Sequence, residues 1–176
     1  MVREDDPARV LRGAAGGAEF GDLVHKLLEY AMRRRTALAD VERFANWLTF
    51  QDVELKRAVP EAVAAVARVM ASDVWRQAQA SADCDVEIPF TLVTKAADGT
   101  PSLLAGVIDL AYRSADGWYV VDYKTDQLSG RGAAELLERY AGQLESYRRA
   151  WSEFTGEPTV RVGLHAVRAG ETVWKL

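Results

Sequence analysis

The sequence predicts an α/β fold, with a helical first half followed by a half whose strands form a mixed central sheet flanked by helices. Three observations predict it. Apolar residues recur at three- and four-residue steps from Gly21 to Val74, alternate from Val86 to Leu92, and then fill two short runs ahead of a further helical stretch. The 176 residues are 49% hydrophobic and 27% charged, which suits one domain burying roughly 70% of its unfolded surface.

Residues 1–19 are charged and then rich in Ala and Gly, and read as a poorly structured lead-in to a domain over 20–176. In "GDLVHKLLEYAMRR", Leu23, Val24, Leu27, Leu28 and Met32 fall on one helical stripe. A second helix is expected over "ADVERFANWL", burying Val41, Phe44, Ala45 and Leu48. A third starts near Pro60, a residue suited to a first turn, and runs through Val63, Val66, Met70 and Val74. In "DVEIPFTLVT", Val86, Ile88, Phe90 and Leu92 should share one strand face. "LLAGVIDLAYR" and "WYVVDYKT" flank the Gly-containing turn "SADG" and read as a hairpin. One long helix is expected over "GAAELLERYAGQLESYRRAWSEF", and two strands around "RAGE" close the chain.

Composition narrows the class of function. No apolar run approaches the 18 or so residues of a membrane span, and the N-terminus carries no apolar signal region, so a cytoplasmic protein fits. The single Cys84 excludes a disulfide, a four-cysteine zinc site or an iron–sulfur cluster built by this chain alone. A net charge of −4 argues against bulk electrostatic binding of nucleic acid, though not against a site where cations offset clustered carboxylates. With no G-x-x-x-x-G-K-[ST] pattern, the chain holds no ATP-driven motor of its own.

One constellation carries chemistry. Along "WYVVDYKT", alternation places Asp122 and Lys124 on the same face, beyond the apolar part of the strand. Asp109 lies thirteen positions earlier in "GVIDLAY", so the hairpin sets it roughly opposite Asp122. Two carboxylates facing each other across strands repel unless a cation lies between them, and a metal ion together with Lys124 would supply that charge. Taken singly, each strand also fits a plain ion pair or a solvated edge acid. His165 in "VGLHAV" reads as a structural histidine, Cys84 as inert, and the five tryptophans as core or interface groups.

"GVIDLAY…GWYVVDYKTD" followed by "YAGQLESY", with "GDLVHKLLE" ahead of them, resembles the PD-(D/E)XK nuclease superfamily. Within it, the resemblance is to the RecB/AddA-type nuclease domain at the C-terminus of bacterial helicase–nucleases. It covers residues 20–176, with four motifs in the expected order. It implies a restriction-endonuclease-like fold and a metal-dependent DNase, with Mg2+ or Mn2+ as cofactor and DNA and a helicase motor as partners. His25, Asp109 and Asp122 would be metal ligands, joined by the Tyr123 backbone carbonyl, and Lys124 the catalytic lysine. Gln143 and Tyr147 match the Gln-x-x-x-Tyr motif, four apart on one helix face, to contact phosphates or brace Lys124. Glu87 in "VEIPF" matches a strand glutamate that binds metal or water, or forms a salt bridge. The resemblance also allows a catalytically silent DNA-binding or scaffolding module of the same fold. Residues 36–80 are a candidate docking segment for a helicase.

Overall fold

The computed structural model describes residues 17–95, 99–128 and 132–175. The lead-in expected over 1–19 therefore falls mostly outside the described residues, and its last two positions belong to the first helix. Among the described residues, seven helices and five strands run α1 (Ala18–Arg34), α2 (Leu38–Leu48), α3 (Val53–Arg57), α4 (Val59–Met70), α5 (Asp73–Ala80), β1 (Cys84–Lys95), β2 (Pro101–Ser114), β3 (Gly117–Lys124), α6 (Ala133–Arg139), α7 (Ala141–Thr155), β4 (Thr159–Ala166) and β5 (Glu171–Lys175). The sheet order is β1-β2-β3-β4-β5. All neighbours are antiparallel except β3 and β4, which pair in parallel across the α6–α7 connection. No helix among these residues is long and apolar enough to cross a membrane.

Each face of the sheet carries its own core. Phe20, Leu23, Val24, Leu27, Leu28, Ala31 and Met32 of α1 are buried, as the spacing predicts. With α2, α4 and α5 they pack on Leu110, Tyr112, Tyr119, Val121 and Tyr123. On the other face, Leu136, Leu144, Tyr147, Ala150 and Trp151 of α6 and α7 meet Ile108, Trp118, Val120, Val162 and Leu164. β3 is covered on both sides, so its apolar residues are continuous where a half-exposed strand would alternate.

Three expected elements are divided differently in the structure, each for a local reason. The helix expected from Pro60 to Val74 is split between Met70 and Asp73, where the Ser72 hydroxyl accepts the Trp75 N–H (3.2 Å) and starts a new helix. The long helix expected over 132–154 breaks at Tyr140, whose backbone (φ −100°, ψ 10°) ends α6 and opens α7. Finally, the apolar residues of β1 do not share one face. Val86 joins the α1 core, whereas Leu92, with Ile88 and Phe90 beside it, joins the α7 core. Glu87 lies between them with φ 51°, a left-handed conformation that turns the strand over. The ladder passes from Val86↔Leu110 to Ile88↔Ile108, with Glu87 and Asp109 outside the regular pairing.

His165 is structural, as its apolar setting suggests. It is fully buried on β4, its Nδ1 is 2.8 Å from Thr172 Oγ1, and Nε2 has no partner among the described residues. Burial pushes its pKa down from 6.5 to about 4. A depressed histidine stays neutral in the fold while the unfolded chain takes up a proton below pH 6.5. Stability is therefore intact above 6.5 and falls as the pH drops toward 4, by about 3 kcal/mol in all. Urea titrations of His165→Gln across this range are expected to show a shallower slope than wild type; an unchanged slope would assign the acid sensitivity elsewhere.

Candidate active site

β2 and β3 part at the point where the acids lie. Their ladder ends at Leu110↔Val121, a register that sets Asp109 opposite Asp122 one step further on. Beyond it, the Asp109 carboxylate itself replaces a ladder carbonyl, Oδ2 accepting the Tyr123 N–H at 2.7 Å. The fork between two strands of a rigid sheet holds Asp109, 5% exposed, and Asp122, 2% exposed.

Two groups of side chains converge on the fork. From the α1 side, His25 donates from Nε2 to the Tyr123 carbonyl, the oxygen expected as a ligand, at 3.1 Å. The other ring nitrogen, Nδ1, points at carboxylates, 3.2 Å from Asp109 Oδ1 and 3.6 Å from Glu87 Oε1. His25, Glu87 and Asp109 each offer a ligand atom within 4.8 Å of the others. The left-handed turn at Glu87 thus coincides with the residue whose carboxylate joins the cluster. From the α7 side, Lys124 Nζ lies 2.7 Å from Asp122 Oδ2 and donates to Gln143 Oε1 at 2.9 Å. Gln143 Nε2 donates in turn to the Tyr147 hydroxyl at 2.7 Å. Gln143 and Tyr147 are both buried on one face of α7, as their spacing predicts.

Electrostatics divides the two acids. Burial raises the pKa of Asp109, but the charge and hydrogen bond of His25, with Lys124 and the Tyr123 N–H, outweigh it and hold it below the usual range. Burial dominates at Asp122 and, with the neighbouring Asp109 charge, lifts it to about 6 against the pull of Lys124. Burial alone would depress His25; the charge and hydrogen bond of Asp109, the bond to Glu87 and the Asp122 charge reverse this and raise it to about 10. Lys124 is likewise raised, because Asp122 and Asp109 outweigh its desolvation. The site gathers three acids around an imidazolium and an ammonium, so acids outnumber cations by one; Asp109, Asp122 and Lys124 are buried, His25 and Glu87 partly so.

These residues fit a divalent cation. The His25 Nδ1 and Asp122 Oδ2 atoms are buried without a well-aligned hydrogen bond; carboxylates face the first and the Lys124 ammonium the second. Hard cations take such oxygen ligands, and an imidazole among them is characteristic of transition metals.

Each expected site residue (His25, Glu87, Asp109, Asp122, Tyr123, Lys124, Gln143 and Tyr147) lies in or beside the fork. Two neighbours join them: Tyr140, expected on the same helix face as Gln143, whose ring lies 4.1 Å from Lys124 Nζ, and Asp126, which holds the Tyr140 hydroxyl at 3.0 Å. Tyr140 stands three before Gln143 and reads equally as core, while Asp126 follows Lys124 without any pattern of its own. Cys84 is half-buried, and burial raises its thiol pKa to about 11, consistent with an inert cysteine.

A mixed sheet whose paired strands open around acids and a lysine defines a nuclease of the restriction-endonuclease-like class. The chain belongs to the PD-(D/E)XK nuclease superfamily, which it matches over residues 5–176. It is also similar to bacterial proteins named as ATP-dependent helicase/nuclease subunits. With that of Carboxydothermus hydrogenoformans it is 38% identical over 100 residues, covering 52% of this chain and 9% of that protein. With that of Bacillus velezensis it is 25% identical over 166 residues (85% and 13%), and with that of Geobacillus kaustophilus 33% over 126 (62% and 10%). The chain spans about a tenth of the length of these relatives.

Proposed function

We propose that this chain is a divalent-metal-dependent DNA nuclease that hydrolyses phosphodiester bonds from the ends of single strands. We further propose that it serves as the nuclease module of a helicase–nuclease in DNA recombination and repair. One observation carries the reading: the fork sets a ligand-spaced His25–Glu87–Asp109 cluster beside the buried Asp122–Lys124 pair. The names of the relatives support the partnership with a motor, and a helicase delivers single strands.

His25, Asp109, Asp122 and Glu87 would hold Mg2+, with the imidazole making Mn2+ an effective substitute. Such a cation supplies an activated water and charge neutralisation at phosphorus. The chain's own residues do the rest. Lys124, fixed by Asp122 and Gln143, directs an ammonium to where charge develops on the phosphate oxygens. Its raised pKa favours this electrostatic role over that of a free general base. Gln143 and Tyr147 form a relay of hydrogen bonds that keeps the ammonium in place. His25 pins the Tyr123 carbonyl and so keeps the strand end in register with α1.

A catalytically silent DNA-binding module is the second reading. The complete set of acids and lysine, buried at a cost that a relic need not bear, favours the first. End-labelled single- and double-stranded DNA incubated with Mg2+ or Mn2+ is expected to be degraded, and cleavage to stop on chelation. Degradation undiminished in EDTA would defeat the metal mechanism. His25→Ala is expected to weaken metal affinity by about tenfold while changing DNA affinity little. Calorimetry showing unchanged metal binding would leave His25 a structural role only.

A further inference from the structure

The ammonium of Lys124 has three N–H donors, and two of its directions are accounted for by Asp122 and Gln143. The third side faces an aromatic ring: Nζ lies 4.1 Å from the centroid of Tyr140. This is cation–π distance, where the negative face of the ring attracts the charge.

The ring is held from its far end. The Tyr140 hydroxyl donates to Asp126 Oδ1 at 3.0 Å, and Arg139 Nη1 reaches the same oxygen at 3.3 Å. Asp126 follows β3 by two residues, so the strand that carries Lys124 also carries the anchor for the ring above it. The backbone at Tyr140 belongs to neither helix. Its N–H is bonded to Leu136 at 2.9 Å and its carbonyl accepts from Leu144 at 3.0 Å. The break that divides α6 from α7 therefore falls on the residue whose ring meets the lysine. Tyr140 is only half-buried, so the packing lost on truncating it is modest.

We propose that Tyr140 is a positioning residue for Lys124, its ring restricting the ammonium to the side that faces Asp122 and the substrate. This deepens the nuclease reading and rests on it. A lysine has a flexible four-carbon stem, and fixing it costs up to about 2 kcal/mol of rotamer entropy. When a phosphate oxygen competes for Asp122's or Gln143's place on the ammonium, the ring remains as the constant contact. The hydroxyl acts one step removed, by tethering the ring to the segment after β3.

The test compares Tyr140→Phe, which keeps the ring, with Tyr140→Leu, which removes it, in the full chain. Tyr140→Leu is expected to lower kcat by about tenfold with KM unchanged, the size of a desolvated cation–π contact. Tyr140→Phe is expected to recover most of that loss. In metal-free protein, the ε-methylene resonances of Lys124 should be shifted upfield by the ring in wild type and Tyr140→Phe, and return to ordinary values in Tyr140→Leu. An unchanged kcat in Tyr140→Leu would overturn the proposal. So would a rise in KM alone, which would mark Tyr140 as a substrate contact. Should Tyr140→Leu fail to fold, Tyr140→Met carries the same expectations. A wild-type chain inactive with every divalent cation would defeat the nuclease reading, and the resonance shift would then decide the ring contact by itself.

Discussion

Lys124→Met is expected to lower the rate of DNA cleavage by about a thousandfold, the upper range for deleting one preorganised charge donor. The substitution keeps most of the side chain's length and removes only the ammonium. Binding of DNA elsewhere on the surface should persist, so the loss should fall on kcat. The same change strands a buried acid. Asp122 is 2% exposed, Lys124 is its ion-pair partner at 2.7 Å, and Asp109 is a neighbouring like charge. Breaking such a pair from one side costs about 3 kcal/mol, lessened where the acid takes up a proton. Adding Asp122→Asn removes the stranded charge, so the double variant should recover stability without recovering activity. Urea unfolding and cleavage of end-labelled DNA, run on both variants, separate the two effects. Full activity in Lys124→Met would remove the lysine from the mechanism.

Asp109→Asn is expected to reduce metal affinity by about a hundredfold and to abolish cleavage at millimolar Mg2+. Asn retains a carbonyl oxygen for the Tyr123 N–H, so the fork between β2 and β3 should survive. What it loses is the charge opposite His25, 3.2 Å away. The imidazole pKa, raised chiefly by Asp109 against its burial, should then fall from about 10. Titration calorimetry with Mn2+ reads the affinity, and histidine proton resonances read the pKa. Wild-type affinity in this variant would place the cation away from Asp109.

The positions of the two acids were legible in the sequence because a hairpin's register follows from its turn. "SADG" between two apolar runs sets Asp109 opposite Asp122, and the observed pairing of Ser114 with Gly117 bears this out. Helical spacing likewise put Gln143 and Tyr147 on one face, because that part of the long stretch is uninterrupted α7. The spacing rule failed where a single residue departs from regular backbone. Nothing in "VEIPF" announces a left-handed Glu87, and an alternating pattern read straight through it assigns Val86 and Ile88 to one face. The break at Tyr140 is equally silent, since a helix former can occupy a helix end when tertiary contacts hold it there.

The sequence by itself determined the order of elements, the hairpin that opposes two acids, and the lysine two residues beyond the second. These depend on periodicity and turn chemistry, which act over a few residues. Only the tertiary structure decided that Glu87 completes the cluster with His25 and Asp109, and that a tyrosine ring lies over the ammonium. Those contacts join residues from helices and strands far apart in the chain, so their geometry follows from how α1 and α7 pack on opposite faces of one sheet.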